Sequence, residues 1–372
     1  MKVCFVTDSY PPNVGGAEIV IQNIVEGIAK HGFGTIVITT KPYNTSFLRF
    51  DDKSKVIRIY TPKFLRRFWF LVLSLPYTFY YARDADLIHG TSYGGIIQTY
   101  IAGKLLGKPT VLTVHEFMGK NWFKFTNNPL VALFYQLAEK IFAKLSFSKF
   151  VAVSNFTKNK LIEAGVPYDK IIQIYNGESY TGIKINKSII EIRTELGLGS
   201  NDFVFAAYGR TGITKGFEYL VEAIPSVLEE IQNSKFLLIL TKDDGRIWKK
   251  INKNLKKIDK NRIVIFSSLE KETLFNLLNV SDVIIIPSLS EGFGFTTLES
   301  GMLKKDIIAS NVGAIPEVIS GNYILFEPYS SEAIKSACIR AFQKEFKYKG
   351  PMTFSWADSI KSYLKLYKEI IN

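Results

Sequence analysis

The fold of this chain is decided by the stretch Glu291-Gly-Phe-Gly-Phe-Thr-Thr-Leu-Glu299 and by the apolar run before it, Val283-Ile-Ile-Ile-Pro287. A run of about five apolar residues is typical of a strand that is covered on both faces of a parallel sheet. Gly292 and Gly294 then allow the backbone to turn tightly and to approach a ligand closely. The sequence therefore predicts a buried strand that ends in a ligand-binding turn.

A helix is expected after this turn. Thr296 or Thr297 can cap it, which would put Glu299 in its first turn. Free amide groups and the positive end of the helix dipole suit an anion such as a diphosphate. Glu291 and Glu299 can each accept two hydrogen bonds from vicinal hydroxyls of a sugar or a ribose. The alternative is a plain strand, turn and helix with two solvated glutamates.

A second segment of the same kind lies about eighty residues earlier. Phe203-Val-Phe-Ala-Ala-Tyr208 predicts a buried strand, and it runs into the glycine-rich loop Gly209-Arg-Thr-Gly-Ile-Thr-Lys-Gly216. The loop has neither the P-loop spacing nor the dinucleotide-binding spacing. Arg210 and Lys215 can neutralise phosphate oxygens, the first as a planar fork and the second as a point charge. A basic pair on a solvated surface is the alternative for this segment alone.

Together the two segments resemble the retaining glycosyltransferases of family 4, also called glycosyl transferases group 1, which have the GT-B fold. The Glu-x7-Glu motif of that family is matched by Glu291 and Glu299, and its Gly-Arg-x4-Lys-Gly motif by residues 209–216. In the family, the Arg and the Lys hold the donor diphosphate, which implies that role for Arg210 and Lys215. The second Glu holds the donor ribose, and the first contacts the transferred sugar.

The resemblance extends over nearly all of the chain. Further segments similar to family signatures are Tyr10–Glu18, Asp86–His89, Thr113–Glu116 and Asn311–Glu317. Gly15 and Gly16 lie in the first of them, which in the family is near the donor phosphate and the acceptor. Ala314 replaces a glycine of the family pattern, and Tyr175–Glu178 departs at its two outer positions from the interdomain Pro-Asn-Gly-Val-Asp segment.

The resemblance implies two sets of site residues. The donor-binding set is Gly15, Gly16, Gly209, Arg210, Lys215, Glu291, Gly292, Phe293, Gly294, Phe295, Thr296 and Glu299. The catalytic set is His115, Glu291, Arg210 and Lys215. His89 and His115 are both predicted to follow buried strands, at the edge where open α/β sheets bind ligands. His115 is favoured because its segment matches the family position near the transferred sugar, whereas His31 is expected to act as a cation at a helix C-terminus.

The length of 372 residues exceeds the size at which a single core stops growing, so two domains are expected. Strands alternate with helical patterns, which predicts two doubly wound parallel sheets. The predicted strands are Lys2–Thr7, Thr35–Thr39, Leu87–His89, Thr110–Val114, Phe150–Val153, Ile171–Ile174, Phe203–Tyr208, Phe236–Thr241, Ile263–Phe266, Val283–Pro287 and Ile307–Ala309.

The fold class expected from the resemblance is therefore α/β, of the GT-B type, with two Rossmann-like domains facing across a cleft. The acceptor-binding domain is assigned to residues 1–175 and the nucleotide-sugar-binding domain to residues 176–353. Residues 354–372 are expected to form an amphipathic helix that packs back on the first domain. Residues 176–201 lose the apolar periodicity and are predicted to form the linker. Cys4 and Cys338 lie in apolar patterns and are predicted to be small core residues, without metal spacing or a disulfide framework.

The positive charge lies mostly in the first half of the chain. The formal net charge is +13, and residues 1–175 hold 21 Lys and Arg against 11 Asp and Glu, a net +10. Within that half, the segment 63–81 joins the basic residues Arg66 and Arg67 to aromatic residues such as Trp69. Cations beside Trp and Phe suit the interface of an anionic membrane, and residues 120–125 can add a second contact. The alternative is an ordinary buried helix, and the uncharged run is shorter than the ~20 residues that span a bilayer.

The expected function is retaining transfer of a sugar from a UDP- or GDP-sugar, such as GDP-mannose, to a glycan or a lipid-linked acceptor. The expected partners are the nucleotide sugar donor, that acceptor and an anionic membrane surface, with no nucleic acid. We expect no cofactor and no metal, because Asp84-Ala-Asp86 falls between a helix and a strand. The first residues form a strand pattern without a signal peptide, which predicts a cytoplasmic protein, peripheral on the cytoplasmic face of the membrane. The alternatives are an inactive sugar-nucleotide binder and an epimerase or phosphorylase on the same fold.

Overall fold

The structure is a computed structural model that describes residues 1–13, 15–42, 48–51, 54–62, 64–126, 128–178, 185, 187–243 and 245–371, without the side chains of 48–51. The chain forms two compact units. Unit 1 consists of Met1–Ser179 together with Phe354–Asn372, and unit 2 consists of Tyr180–Thr353. The last helix therefore belongs to unit 1, as expected from its amphipathic pattern.

Unit 1 alternates strands and helices. Its strands are β1 (Lys2–Val6), β2 (Gly34–Thr40), β3 (Leu48–Asp51), β4 (Ser54–Ile59), β5 (Leu87–Thr91), β6 (Thr110–Val114), β7 (Lys149–Ala152) and β8 (Ile171–Gln173). Its helices are α1 (Gly16–Lys30), α2 (Arg66–Ala82), α3 (Ile96–Leu106), α4 (Trp122–Phe125), α5 (Pro129–Ala143), α6 (Asn155–Glu163) and α14 (Trp356–Ile371). Short 3-10 turns cover Gly119–Asn121 and Tyr168–Lys170.

In the described part of unit 1 the strands form one eight-stranded sheet in the order β3-β4-β2-β1-β5-β6-β7-β8. All neighbouring pairs are parallel except β3 with β4. One face of the sheet packs against α2 and α3, and its core continues to α5 and α6 through Leu112, Phe150 and Leu161. Cys4 is buried in this core as a free thiol, as predicted.

Helix α14 covers the other face of the sheet. Tyr363 and Tyr367 of α14 are buried, and the Tyr363 hydroxyl lies 3.2 Å from Thr113 Oγ1. The Tyr367 hydroxyl lies 2.5 Å from Nδ1 of His89, whose Nε2 is 2.8 Å from Thr113 Oγ1. Gly27 of α1 allows close packing, because a Cβ there would lie 2.5 Å from Ile360 Cγ1.

Unit 2 has the same alternation. Its strands are β9 (Phe203–Arg210), β10 (Ser234–Thr241), β11 (Ile263–Phe266), β12 (Val283–Ile286), β13 (Asp306–Ser310), β14 (Gly321–Phe326) and β15 (Lys347–Lys349). Its helices are α7 (Ile189–Glu195), α8 (Phe217–Glu230), α9 (Gly245–Leu255), α10 (Lys271–Asn279), α11 (Phe295–Met302), α12 (Ile315–Val318) and α13 (Ser331–Phe342), with a 3-10 turn at Lys260–Arg262.

The described strands of unit 2 form a seven-stranded sheet in the order β11-β10-β9-β12-β13-β14-β15, in which only β15 runs antiparallel to its neighbour. Two apolar clusters cover its faces. One includes Phe205 and Phe236 with α8 and α13, and it also contains the buried thiol of Cys338. The other includes Ile284 and Ile286 with α10 and α12. The two predicted doubly wound sheets are confirmed.

Several elements differ from the sequence prediction. Strands β3, β4, β14 and β15 were not predicted. In β4, the charged Lys55 and Arg58 interrupt the apolar pattern, although Arg58 is buried and its Nη2 donates to Pro11 O at 2.5 Å. The predicted linker 176–201 contains helix α7, which begins with a capping box in which Glu191 accepts from the backbone N–H of Ser188.

Prediction for α14. Tyr367→Phe removes the hydroxyl that faces the buried Nδ1 of His89, and we expect it to lower the free energy of unfolding by about 1–3 kcal/mol, the cost of an unsatisfied buried polar group. The matched control is Tyr348→Phe, because Tyr348 is exposed on β15. Urea unfolding of both variants checks the prediction. Equal stability of the two variants would contradict this role of the His89 contact.

Candidate donor and acceptor sites

The candidate site of unit 2 lies where the order of strands reverses. From β9 the chain moves to β10 and β11 on one side, and it then returns to β12 on the other side of β9. Ligands of open α/β sheets bind at the carboxyl ends of the strands at such a switch point. The loop with Lys215 follows β9 and the loop with Glu291 follows β12, so the two predicted motifs flank this point.

These two loops are joined by backbone hydrogen bonds. The carbonyl of Thr214 accepts from the N–H groups of Leu289, at 2.7 Å, and of Ser290, at 3.3 Å. Gly216 precedes α8 with a φ of 64°, and a Cβ there would lie 2.0 Å from Pro287 O. A glycine is therefore required for the loops to approach so closely.

A third loop, after β13, supports the backbone of Glu291. The N–H of Ala314 donates to Glu291 O at 3.0 Å. Gly313 has a φ of 57°, and a Cβ there would lie 2.0 Å from the same oxygen. The segment 311–317 thus positions Glu291, even though Ala314 replaces a family glycine.

The carboxylate of Glu291 is buried and has two described donors. Lys215 Nζ forms a hydrogen-bonded ion pair with its Oε1, and Ser288 Oγ donates to the same oxygen at 3.0 Å. Within the described part of the chain, no donor contacts its Oε2. Lys215 is itself partly exposed, so a phosphate can reach it. Ser288 was not predicted as a site residue.

The carboxylate of Glu299 is also buried, and it accepts a hydrogen bond from the Tyr208 hydroxyl at 2.5 Å. Tyr208 also donates to Thr296 O at 3.3 Å. It is a site residue that the sequence analysis missed, although a Tyr near the end of a buried strand next to a glycine was a usable signal. The contact ties β9 to the start of α11.

The predicted cap of this helix is wrong. The residue before α11 is Gly294, with a φ of 96°, and no side chain caps the helix. Thr296 and Thr297 lie inside α11, so Glu299 falls in its second turn. A left-handed glycine at this position turns the chain directly into the helix, which leaves no place for a threonine cap.

The start of α11 brings together the other predicted residues of this stretch. Gly292 and Phe293 are buried beside Glu291, and the rings of Phe293 and Phe295 lie 5.2 Å apart. The helix N-terminus therefore adjoins the Lys215–Glu291 pair. Its dipole adds positive potential for an anion.

Arg210 ends β9 and is exposed, and Gly209 before it has a φ of 144°. Among the residues that the structure describes, the Arg210 guanidinium has no hydrogen-bond or ion-pair partner. Arg210 therefore lies at the carboxyl end of β9, as predicted, but its guanidinium does not contact Lys215, Glu291 or Glu299. It is available to an added ligand.

Unit 1 carries the remaining predicted residues at the carboxyl edge of its own sheet. Gly15 and Gly16 begin α1, and Glu18 lies in its first turn. His115 follows the last residue of β6, and its backbone N–H donates to Ser92 Oγ at 3.1 Å. The Nε2 atom of His115 is buried without a hydrogen-bond partner in the described part of the chain.

Burial lowers the pKa of His115 to about 4, and the charge of Glu18 opposes this shift. The imidazole is therefore neutral at neutral pH and can bind a hydroxyl. Glu18 was not predicted as part of this site. Its position in the glycine-rich Tyr10–Glu18 segment was the available signal.

His89 has a structural role. It lies inside β5 rather than after it, and Tyr367 and Thr113 contact its two ring nitrogens. Burial, together with the charge of His115, lowers its pKa to about 3. His31 follows the last residue of α1, with Nδ1 2.8 Å from Gly27 O.

The predicted membrane segment forms α2, and Lys63 lies outside the described residues. One face of α2 is buried through Phe70, Ser74, Thr78 and Ala82, whereas Trp69 and several other apolar residues are exposed. Arg66 donates to Thr40 Oγ1 at 2.5 Å, and Arg67 Nε lies 3.2 Å from Asp8 Oδ2. The helix thus has a buried face, as expected for an ordinary core helix, and an exposed face that carries Trp69. Binding of this exposed face to a membrane stays a prediction.

The described ranges contain neither a membrane-spanning helix nor a metal cluster. No helix there has the length and apolar character needed to cross a bilayer. No group of three or more His, Cys, Asp or Glu there is arranged to hold a metal ion.

Two known family models match this sequence, one in each half of the chain. Residues 14–177 match the model of Glycosyltransferase Family 4, and residues 188–352 match that of Glycosyl transferases group 1. An uncharacterised glycosyltransferase of Methanocaldococcus jannaschii is 26% identical over 338 residues, which is 86% of this chain and 83% of that protein.

One further relative and one solved structure of similar fold carry more specific names. The UDP-Gal:alpha-D-GlcNAc-diphosphoundecaprenol alpha-1,3-galactosyltransferase of Escherichia coli is 31% identical over 239 residues, covering 61% of this chain and 58% of that protein. A protein of Anabaena, solved in complex with UDP-glucose, has a similar fold, with a TM-score of 0.70 and 18% identity over 100% of this chain and 96% of the other.

The two α/β units, with their motifs at the carboxyl edges of parallel sheets, define a glycosyltransferase of the GT-B fold. The Glycosyltransferase Family 4 model over residues 14–177 and the Glycosyl transferases group 1 model over residues 188–352 together indicate a GT-B glycosyltransferase of group 1. The predicted fold class and the resemblance to this group are confirmed.

Prediction for the third loop. Gly313→Ala places a Cβ against Glu291 O, and we expect it to displace the Glu291 loop and to destabilise the protein by more than the roughly 1 kcal/mol strain of a left-handed Ala alone. Gly321→Ala is the matched control, since its φ of 79° is also left-handed and nothing lies within 4 Å of its Cβ position. Thermal unfolding measures the difference. The same loss of melting temperature in both variants would contradict the proposed contact.

Proposed function

We propose that the protein is a retaining glycosyltransferase that moves a sugar from a nucleotide diphosphate sugar to a glycan or lipid-linked acceptor at the cytoplasmic face of the membrane. The observation that carries the proposal is the Lys215–Glu291 pair at the switch point of unit 2, beside the N-terminus of α11. It places a cation and a carboxylate side by side. A molecule with both phosphates and hydroxyls fits such a pair.

The diphosphate of the donor is assigned to the cations. Arg210 and Lys215 follow β9, and the positive end of α11 adjoins Lys215 through the loop contacts described above. Charge that develops on the leaving phosphate is stabilised by such preorganised groups. We therefore propose a reaction that uses no metal and no cofactor.

The hydroxyl groups of the donor are assigned to the two glutamates. Glu299 is fixed by Tyr208 and is proposed to hold the ribose, whereas Glu291 is proposed to hold the transferred sugar through its remaining oxygen. The Lys215 and Ser288 contacts of Glu291 favour a hydrogen-bonding role over a covalent nucleophile. We propose that the acceptor attacks the face from which the nucleotide diphosphate leaves, so that the anomeric configuration is retained.

Unit 1 is assigned to the acceptor and the transferred sugar. The neutral His115, with its unpartnered buried Nε2, is proposed to bind a sugar hydroxyl. Gly15 and Gly16 lack side chains at the start of α1, and they are proposed to allow a close approach to the donor phosphate and the acceptor. The exposed aromatic face of α2, with Arg66, Arg67 and Trp69, supports an acceptor at a membrane surface.

The names of relatives support particular substrates. The Escherichia coli relative is named for a UDP-galactose donor and a diphosphoundecaprenol-linked acceptor, and the Anabaena protein was solved with UDP-glucose. We propose a UDP-sugar as the donor in preference to a GDP-sugar. A lipid-linked sugar is the proposed acceptor class.

Prediction for the diphosphate. Lys215→Ala removes the cation beside Glu291, and we expect weaker binding of the nucleoside diphosphate and a loss of transfer on the order of a hundredfold, as for removal of one preorganised charge-stabilising group. Lys335→Ala is the matched control, because Lys335 forms an ion pair with Glu230 at 3.1 Å in the same unit. Calorimetric titration with UDP and transfer from labelled UDP-sugars into a lipid extract provide the measurements. Unchanged UDP affinity and rate in Lys215→Ala would remove the basis of the proposal.

Prediction for the glutamates. Glu299→Ala should weaken binding of free UDP by on the order of tenfold or more, because it loses charge-assisted hydrogen bonds to the ribose. Glu291→Ala should leave UDP affinity nearly unchanged and should still lower the rate of transfer. Each variant serves as the control for the other in the same UDP titration. Equal losses of UDP affinity in both would refute the division of roles.

A further inference from the structure

Helix α5 of unit 1 has a buried face made of small residues and one carboxylate. Ala132, Glu139 and Ala143 are buried. The Glu139 carboxylate accepts hydrogen bonds from the Tyr93 hydroxyl at 2.6 Å, from Met118 N at 3.1 Å and from Gly119 N at 2.7 Å. These bonds fix α5 against the turn that follows His115.

A second face of α5 is apolar and exposed. Leu130, Phe134, Leu137 and Ile141 are 74%, 66%, 48% and 60% exposed, respectively. Their spacing of three and four residues aligns them along one stripe of the helix. We call these four residues the α5 stripe. Single exposed apolar residues are common on protein surfaces, but an aligned row of this kind marks an interaction surface.

The charged residues around the α5 stripe are almost all lysines, which indicates the kind of partner that the stripe can bind. Residues 119–145 contain Lys120, Lys124, Lys140 and Lys144, and their one acidic residue is the buried Glu139. Two copies of this surface would bring like charges together, which disfavours a dimer through the stripe. Apolar side chains flanked by cations alone are complementary to the interface of an anionic membrane.

A pocket opens on the side of α5 next to the stripe. Its volume is about 420 Å³, and its walls are the turn at 117–121, Gln136 and Lys140 of α5, and Lys160, Glu163 and Ala164 at the end of α6. Three lysines, Lys120, Lys140 and Lys160, are therefore among its lining residues. Lys160 is paired with Glu163 at 2.6 Å, whereas Lys120 and Lys140 have no acidic partner in the described part of the chain. Lysines in this arrangement suit phosphate oxygens.

We propose that α5 lies in the membrane interface with its stripe among the acyl chains, and that the pocket binds the phosphate or diphosphate group of a lipid acceptor. The inference rests on the function proposed above and specifies its acceptor as a lipid whose headgroup carries phosphate. The pocket begins two residues after His115, so a headgroup held there lies at the same sheet edge as the proposed sugar-binding histidine. The lipid tail follows the stripe into the membrane.

Vesicle sedimentation tests the proposal with three compositions: phosphatidylcholine alone, and phosphatidylcholine with either phosphatidylglycerol or a polyprenyl phosphate at equal surface charge. The stripe variant is Phe134→Ser, Ile141→Ser, with Ile190→Ser, Tyr348→Ser on exposed sites of unit 2 as its control. The pocket variant is Lys120→Ala, Lys140→Ala, with Lys249→Ala, Lys253→Ala on exposed sites of α9 as its control. A further variant, Arg66→Glu, Arg67→Glu, tests α2.

The parent protein should bind both anionic vesicles more tightly than neutral ones and should prefer polyprenyl phosphate to phosphatidylglycerol. The stripe variant should lose on the order of tenfold or more of its affinity for every vesicle, as expected from burial of large apolar side chains. The pocket variant should lose the preference for polyprenyl phosphate, and each lysine near the surface should contribute roughly fivefold to anionic binding. Both control variants should behave like the parent.

Several outcomes would overturn the proposal. These are a parent without preference for polyprenyl phosphate, a pocket variant that keeps the preference, and a stripe variant that binds normally while the α2 variant does not. Saturation of the pocket by free diphosphate without vesicle binding would assign it to a soluble phosphate instead. A parent dimer that the stripe variant converts to a monomer would assign the stripe to a second copy.

The test also separates this inference from the function on which it rests. UDP binding is assigned to unit 2, and none of the α5 changes lies there. If vesicle binding fails while UDP binds and Lys215→Ala weakens that binding, the acceptor assignment falls and the donor assignment remains. If UDP does not bind the parent, the proposed function itself fails, whatever the vesicles show.

Discussion

The candidate donor site depends on the close approach of three loops at one edge of the unit 2 sheet. Gly216 brings the first loop onto the second, and Gly313 brings the third onto the carbonyl of Glu291. Main-chain hydrogen bonds from Ala314 and to Thr214 then hold the three loops together. Because these contacts involve backbone atoms, the Glu291 and Lys215 side chains are positioned before any ligand arrives. A site that is preorganised in this way spends little free energy on rearrangement during the reaction.

Two of the buried carboxylates, Glu139 and Glu291, differ in how completely they are hydrogen-bonded. A buried charge is costly unless it is paired and hydrogen-bonded. Glu139 accepts three hydrogen bonds that use both of its oxygens, and it serves to fix α5 to its neighbours. Glu291 has both of its described donors on Oε1, which leaves the second oxygen with capacity for a substrate hydroxyl. The number of hydrogen bonds that each carboxylate already accepts, and not burial itself, distinguishes the structural Glu139 from Glu291, which is proposed to bind a sugar.

Sequence patterns were sufficient to predict the strands and loops whose structure is decided by neighbouring residues. Apolar runs such as Val283–Pro287 located the central strands, and the glycine-rich spacing located the loops at Lys215 and Glu291. Two of the failures depend on contacts between distant parts of the chain. Strand β4 contains a buried Arg58 whose partner lies forty-seven residues away, and Tyr208 reaches Glu299 across ninety-one residues. A threonine cap was also the ordinary expectation for α11, and only the backbone geometry at Gly294 excludes it.

The return of α14 to unit 1 has a consequence for biosynthesis. Unit 2 is an uninterrupted segment, Tyr180–Thr353, inserted between the two parts of unit 1. A chain that emerges from the ribosome can therefore complete unit 2 before unit 1, although most of unit 1 is synthesised first. Until α14 has emerged, the sheet face around His89 lacks the cover of Tyr363 and Tyr367. For that interval this face of the nascent first unit stays uncovered, and α14, which is made after the whole of unit 2, is the element that closes it.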